Sequence, residues 1–129
     1  MIRLPCSQQQ LMWLYRCALL VAILAISWLA LSSVPIRPAR WASDKVNHGV
    51  AFFVLAFCID NAFPRVRFLL VKLWPLVAYG VAIEIVQRYV SRDPSLLDLA
   101  ADGVGISLYW SLRRWLRQLV VGRDWAITQ

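Results

Sequence analysis

The residues that could carry chemistry recur at helical spacing inside otherwise apolar sequence. Three polar pairs are separated by three or four positions: Asp44 and His48, Glu84 and Gln87, and Asp98 and Asp102. Residues at these spacings lie on one face of a helix, so each pair predicts a polar stripe along its helix. Because an ionisable side chain is costly in an apolar environment, each stripe needs a partner, a water-filled cavity or a function.

Two kinds of chemistry fit these side chains. Glu84 or His48 could act as a general base, with Asp98 and Asp102 supplying a second carboxylate or metal ligands. Lys45 and Arg92 could instead face a phosphate group, since arginine can form two parallel hydrogen bonds to it. The candidate ligand-binding site comprises eight residues: Asp44, Lys45, His48, Glu84, Gln87, Arg92, Asp98 and Asp102. Candidate catalytic residues are Glu84, His48 and Asp102.

The same side chains could hold a divalent cation. Oxygen and nitrogen ligands of a suitable kind are present at His48, Glu84, Asp98 and Asp102. No spacing motif requires a metal, however, and no serine or cysteine has a base at a spacing that indicates covalent catalysis. We therefore predict no metal and no other cofactor.

Each polar residue also has a structural explanation. Asp44 could cap the second helix, and Ser95 with Asp98 matches a capping box. Glu84 and Arg88 are four residues apart and could form an ion pair. The whole cluster could be a salt-bridge network that fixes helix register, because its charges nearly cancel: Lys45, Arg88 and Arg92 against Asp44, Glu84, Asp98 and Asp102.

Composition indicates which elements position these residues. The chain has 129 residues, of which 60% are hydrophobic and 16% charged, and its mean hydropathy is +0.60. Soluble domains are less apolar and more charged, so disorder and most soluble enzymes are excluded.

Four apolar stretches are each about long enough to cross a bilayer: residues 14–34, 45–63, 68–89 and 96–115. We predict an all-α membrane protein, an antiparallel bundle of four transmembrane helices in a single domain, 1–129. Gly103 and Gly105 would let a neighbouring helix approach closely.

The cations predict how the bundle is oriented. Nine flank the predicted helices on one side: Arg3, Arg16, Arg65, Arg67, Lys72, Arg113, Arg114, Arg117 and Arg123. Five lie on the other: Arg37, Arg40, Lys45, Arg88 and Arg92. The excess predicts that both termini are cytoplasmic and that the polar stripes lie at the outer side. Because these cations lie between apolar runs, the pI near 10.0 indicates topology and a lipid bilayer rather than nucleic acid.

The polar residues, taken in order, resemble the VanZ-like family of small multi-pass bacterial membrane proteins, named after a teicoplanin-resistance protein. The shared pattern lies within roughly residues 40–112 and reads Asp44-Lys45-x-x-His48, Glu84-x-x-Gln87, Arg92, then Asp98-x-x-x-Asp102-x-x-Gly105. The family usually has Asn where this chain has Asp102, so this chain adds a carboxylate. The resemblance implies a four-helix protein of the bacterial inner membrane and cell envelope, and it implies no mechanism.

Three hypotheses about function follow. In the first, a VanZ-like envelope protein binds an envelope lipid or a membrane-protein partner through an outer polar site, and contributes to glycopeptide resistance of the teicoplanin type. In the second, the chain is an intramembrane hydrolase or transferase acting on a lipid-linked envelope precursor. In the third, the cluster is purely structural.

Overall fold

The described part of the chain folds into four α-helices, as the sequence predicts. The computed structural model describes residues 7–32, 41–90 and 95–127. Helix α1 spans Gln8–Leu31, α2 spans Trp41–Ala62, α3 spans Leu73–Gln87 and α4 spans Leu96–Ile127. A π-helical turn, Phe68–Lys72, leads directly into α3. Helix α4 begins at the predicted residue and continues well past the predicted end at 115.

Local sequence explains where several helices begin and bend. Ser7 caps α1, because its hydroxyl accepts from the Gln10 amide while the Gln10 side chain accepts from the Ser7 amide. The π-helical turn precedes Pro75, whose ring in a regular helix would collide with the carbonyl of Val71. Val71 lies within that wider turn, which offers the backbone a way to accommodate the proline.

Contacts between successive helices give an up-and-down arrangement. Arg16, near the start of α1, donates its Nε to the carbonyl of Ala62 at the end of α2, 3.3 Å away. Glu84, near the end of α3, accepts from the amide of Ser95, which immediately precedes α4. Gly80, earlier in α3, faces Leu99 and Asp102, which lie further along α4. Each of these pairs of helices therefore runs antiparallel. We call the end where α2 and α4 begin the polar end, and the opposite end the basic end.

Helices α2 and α4 run in the same direction and form the most extensive helix contact of the bundle. Gly105 of α4 packs directly on α2: a Cβ added there would lie 2.9 Å from the carbonyl carbon of Gly49 and 3.0 Å from the amide nitrogen of Phe53. The predicted close approach is thus confirmed at Gly105. It is wrong for Gly103, which has no atom within 4 Å of such a Cβ among the residues that the structure describes.

The core lies mainly between these two helices and the start of α3. Its buried members are Phe52, Leu55, Ala56, Phe68, Leu76, Ile106 and Tyr109. The ring of Tyr109 is packed edge-on against Phe53 and Phe57, with centroids 5.7 and 6.1 Å apart. Aromatic packing thus fills the space towards the basic end, below the glycine contact.

Two helical segments are long and apolar enough to cross a membrane by length and composition. They are Gln8–Leu31, with mean hydropathy 2.1, and Phe68–Gln87, with mean hydropathy 1.8. Only 6% and 22% of their apolar stretches are buried in the bundle. Leu20, Leu24 and Trp28 of α1 are all more than half exposed. An apolar surface of this kind is suited to a lipid environment.

Candidate functional site at the polar end

The structure brings six of the eight predicted site residues together at the polar end. Asp44, Lys45 and His48 lie in the first turns of α2, Asp98 and Asp102 in the first turns of α4, and Glu84 near the end of α3. The parallel course of α2 and α4 places their first turns side by side. Asp98 and Asp102 are almost completely buried, with 5% and 3% of their surface exposed.

Lys45 and Asp98 form an ion pair between α2 and α4. The ammonium group of Lys45 also donates to the hydroxyl of Ser95, 3.3 Å away. The buried carboxylate of Asp98 is thereby neutralised within the bundle, which removes much of the cost of burying it.

His48 and Asp102 form the second link between these helices. Nδ1 of His48 lies 2.9 Å from Oδ1 of Asp102, and Nε2 lies 4.0 Å from Oδ2 of Asp98. A histidine held by a carboxylate in this way has a fixed ring orientation. Gly80 of α3 makes room for the carboxylate, since a Cβ there would lie 2.9 Å from Oδ2 of Asp102. The sequence pattern did not indicate this role for Gly80.

Glu84 has a different partner from the predicted one. Its Oε2 accepts from the backbone amide of Ser95 at 2.9 Å, and no ion pair joins it to Arg88, which is exposed. The expected pairing is wrong because the side chain of Glu84 turns towards the start of α4. Its other oxygen, Oε1, is buried and has no hydrogen-bond partner within the described part of the chain.

The capping predictions also change in the structure. Ser95 caps α4, and its hydroxyl accepts from the amide of Leu97 at 3.2 Å. The reciprocal bond expected from Asp98 is made by Glu84 instead, because Asp98 turns to Lys45. Asp44 does not cap α2: the helix begins at Trp41, so Asp44 lies within the first turn.

Of the other two predicted residues, the structure describes only Gln87. Gln87 is buried and donates to the carbonyl of Ala30, 3.2 Å away, so it joins α3 to α1 and is not among the carboxylates. Arg92 lies outside the described residues. Asp44, His48 and Asp98 each offer a ligand atom within 4.8 Å of the others, although Asp98 is also paired with the Lys45 ammonium.

A cleft opens beside this group, between α1, α2 and α3. Its volume is about 590 Å³. Polar groups line it at the polar end, namely Ser32, Asp44, Asn47 and His48, and apolar side chains such as Ile26, Val50 and Phe52 line it further along. The cleft therefore combines one polar end with an apolar wall. The sequence pattern did not single out Asn47.

A second buried polar group, at the basic end, was not predicted as a site. Lys72 lies 2.6 Å from Oδ1 of Asp60, while Tyr109 and the Nε of Arg113 each lie 2.7 Å from Oδ2. Asp60 and Lys72 are 4% and 2% exposed. This group joins α2, α4 and the π-helical turn, and we call it the Asp60 cluster.

Comparison with known proteins adds no relative. No protein-family model, curated protein or solved structure matches the chain. The contacts at the polar end and the residue pattern are therefore the basis for inferring function.

Proposed function

We propose that this chain is a VanZ-like integral membrane protein of the bacterial cell envelope that binds an amphiphile, an envelope lipid or the lipid-like part of a partner, in the cleft at its polar end. The observation that carries the proposal is the cleft itself. Its polar lining of Asp44, Asn47 and His48 suits a headgroup rich in hydrogen-bonding groups, and its apolar wall suits a hydrocarbon chain.

We further propose that all four helices cross the inner membrane, with both termini in the cytoplasm. Helix α1, and α3 together with the π-helical turn that precedes it, are long and apolar enough for this by length and composition. Helices α2 and α4 carry the polar residues, but Lys45 pairs with Asp98 and His48 with Asp102 inside the bundle. Because polar groups paired between helices need not face lipid, their presence is compatible with a membrane span.

A purely structural network accounts for only part of the cluster. The pairs between α2 and α4 would fix helix register in either case. Glu84, however, has a buried oxygen with no hydrogen-bond partner among the described residues, and a closed network would satisfy it. The cleft is also many times larger than the roughly 30 Å³ that one water molecule occupies. Glu84 does not line the cleft, so its unpaired oxygen counts against a closed network, and the open cleft is a separate feature that supports binding.

One observation favours an enzymatic alternative, a hydrolase or transferase acting on a lipid-linked precursor. His48 both lines the cleft and is held by Asp102, 2.9 Å from its Nδ1. An imidazole oriented in this way can accept a proton from an attacking hydroxyl or water. In this alternative His48 is the general base and Asp102 positions it.

The experiment that tests the binding proposal compares two Asn→Leu variants, one near the start of α2 and one near its end. Asn47→Leu changes the polar lining of the cleft, whereas Asn61→Leu removes a side chain that bonds only the carbonyl of Phe57 within the described chain. Each variant is produced in a bacterial host, and the host's sensitivity to teicoplanin and to detergent is measured. Lipids that co-purify with the protein are identified by mass spectrometry.

We expect Asn47→Leu to lose both the cellular effect and a co-purifying lipid, while Asn61→Leu keeps both at the same protein level. Equal behaviour of the two variants would refute binding in the cleft. Asp102→Asn separates the two candidate functions, because an asparagine oxygen can still accept from His48 but carries no charge. Binding should survive that change, whereas proton transfer through His48 should be strongly reduced.

A further inference from the structure

A second cavity lies along α4 at the basic end, outside the site proposed above. Its volume is about 460 Å³, and its lining consists of Trp110, Arg113, Arg114, Arg117 and Gln118. Counted from Trp110, the other four lie three, four, seven and eight positions further on, so they share one side of the helix. Arg117 and Gln118 belong to the part of α4 beyond the predicted end of the span at 115.

The cavity is strongly basic, and its arginines are held differently. Nε of Arg113 lies 2.7 Å from Asp60, which fixes this guanidinium at the edge of the bundle. The guanidinium carbon of Arg114 lies 5.5 Å from the ring centroid of Trp110, as in a cation–π contact. Arg117 is exposed and has no ion pair with any described residue. The carboxylate of Asp60 is already engaged by Lys72 as well, so the cavity keeps an excess of positive charge.

We propose that this cavity binds the phosphate headgroup of an anionic phospholipid from the leaflet at the basic end. Guanidinium groups match phosphate oxygens with paired hydrogen bonds, and a tryptophan beside them suits the boundary between headgroups and acyl chains. Basic pockets near the ends of membrane helices bind acidic headgroups for these reasons. The proposal rests on the membrane insertion proposed above and is independent of the cleft at the polar end.

The test uses the full chain reconstituted in phosphatidylcholine bilayers that contain a trace of spin-labelled phosphatidylglycerol or spin-labelled phosphatidylcholine. Electron paramagnetic resonance measures how strongly each lipid associates with the protein. The variant Arg114→Gln/Arg117→Gln removes two cations from the cavity. The control Arg65→Gln/Arg67→Gln removes two exposed cations at the same end, outside the cavity lining.

We expect the native chain to prefer phosphatidylglycerol to phosphatidylcholine. At low salt, this preference should fall by a factor of about five for each arginine removed in the cavity variant. The control should keep most of the preference. A further variant, Arg114→Lys/Arg117→Lys, retains the charge but not the paired hydrogen bonds and should lose part of it. Circular dichroism of each variant establishes that the helices are intact.

Several results would overturn the proposal. An equal loss in the cavity variant and the control would show a general field of the basic end rather than a site. An unchanged preference in the cavity variant would exclude these arginines, and displacement of the labelled lipid by inorganic phosphate would show that the ligand is free phosphate. If neither labelled lipid associates with the protein, the proposed membrane insertion is wrong. If both lipids associate equally, only the proposed site for an anionic lipid is wrong.

Discussion

The contact between α2 and α4 at Gly105 makes a sharp prediction about a single methyl group. In Gly105→Ala the new Cβ would lie 2.9 Å from the carbonyl carbon of Gly49 and 3.0 Å from the amide nitrogen of Phe53, with the Gly49 oxygen nearer still. All three obstacles are backbone atoms, so no side-chain rotation relieves the overlap. The two helices must therefore separate.

The size of the effect follows from the distances. Restoring ordinary contact requires about 1 Å of separation or more, since non-bonded carbon contacts are optimal near 3.5–4.0 Å. Overpacking of this kind costs up to about 3 kcal/mol, and an obstacle made of backbone places the change at the upper end. The same movement would stretch the contact between His48 and Asp102, now 2.9 Å, beyond hydrogen-bond range. Gly105→Ala should thus weaken the bundle and disturb the polar end together.

The free energy of unfolding in mixed micelles, measured by titration with a denaturing detergent, checks this. Gly103→Ala is the matched control: its Cβ would have no described atom within 4 Å, so alanine's better helix propensity should make it neutral or about 0.5–1 kcal/mol more stable. Gly49→Ala is a second control, because the nearest atom would be the carbonyl oxygen of Ala101 at 3.5 Å. If Gly105→Ala unfolds at the same free energy as Gly103→Ala, the helix contact is not as close as described.

Three further changes are predicted, each measured by the same unfolding titration, and the last also by the sensitivity of the host to teicoplanin and detergent. Asp60→Leu should lower the free energy of unfolding by about 3–5 kcal/mol, because Lys72 would be left buried without a counter-charge. Adding Lys72→Met to this variant should recover part of the loss. No recovery in the double variant would contradict this explanation. Tyr79→Phe removes a hydroxyl that bonds two groups of α1 at 2.8 and 3.0 Å, so a loss of about 1 kcal/mol is expected, and no loss would argue against those bonds. Gly80→Ala should displace the carboxylate of Asp102 and reduce both stability and the cellular effect; an unaltered phenotype would argue against Asp102 in the site.

The helices and the gathering of polar residues at one end could be predicted from sequence because both depend on distances along the chain. Apolar stretches of about 20 residues predict helices of bilayer length. Short connections make successive helices antiparallel, so the end of one helix lies beside the start of the next. The sequence predicts that a neighbouring helix packs closely on the glycines of α4, but it does not show which glycine makes the contact. Gly103 and Gly105 are two residues apart and face different directions on the helix, and only the packing direction of α2 shows that Gly105 makes the contact.

The partners of individual charges could not be predicted in the same way. Helical spacing placed Arg88 near Glu84, yet the carboxylate accepts from Ser95, because a neighbouring helix start offers an unpaired amide. The cations of the basic end were assigned to topology, and the spacing of Asp60, Lys72 and Arg113 in the chain gives no indication that they meet. Such contacts depend on how three helices pack, which no local pattern specifies.

The two buried polar groups differ in a way that bears on function. Asp60 is satisfied: Lys72 contacts one oxygen, and Tyr109 and Arg113 contact the other. Such a group can hold α2, α4 and the π-helical turn together without any ligand. The polar end also has its ion pairs, but Glu84 keeps one buried oxygen without a described partner and His48 faces an open cleft. Since buried polar groups are normally satisfied, the incomplete group is the one expected to recruit a ligand. A ligand that donates a hydrogen bond to Glu84 should therefore raise the free energy of unfolding of the native chain. It should raise that of Glu84→Gln less, because the glutamine amide has one acceptor oxygen instead of two.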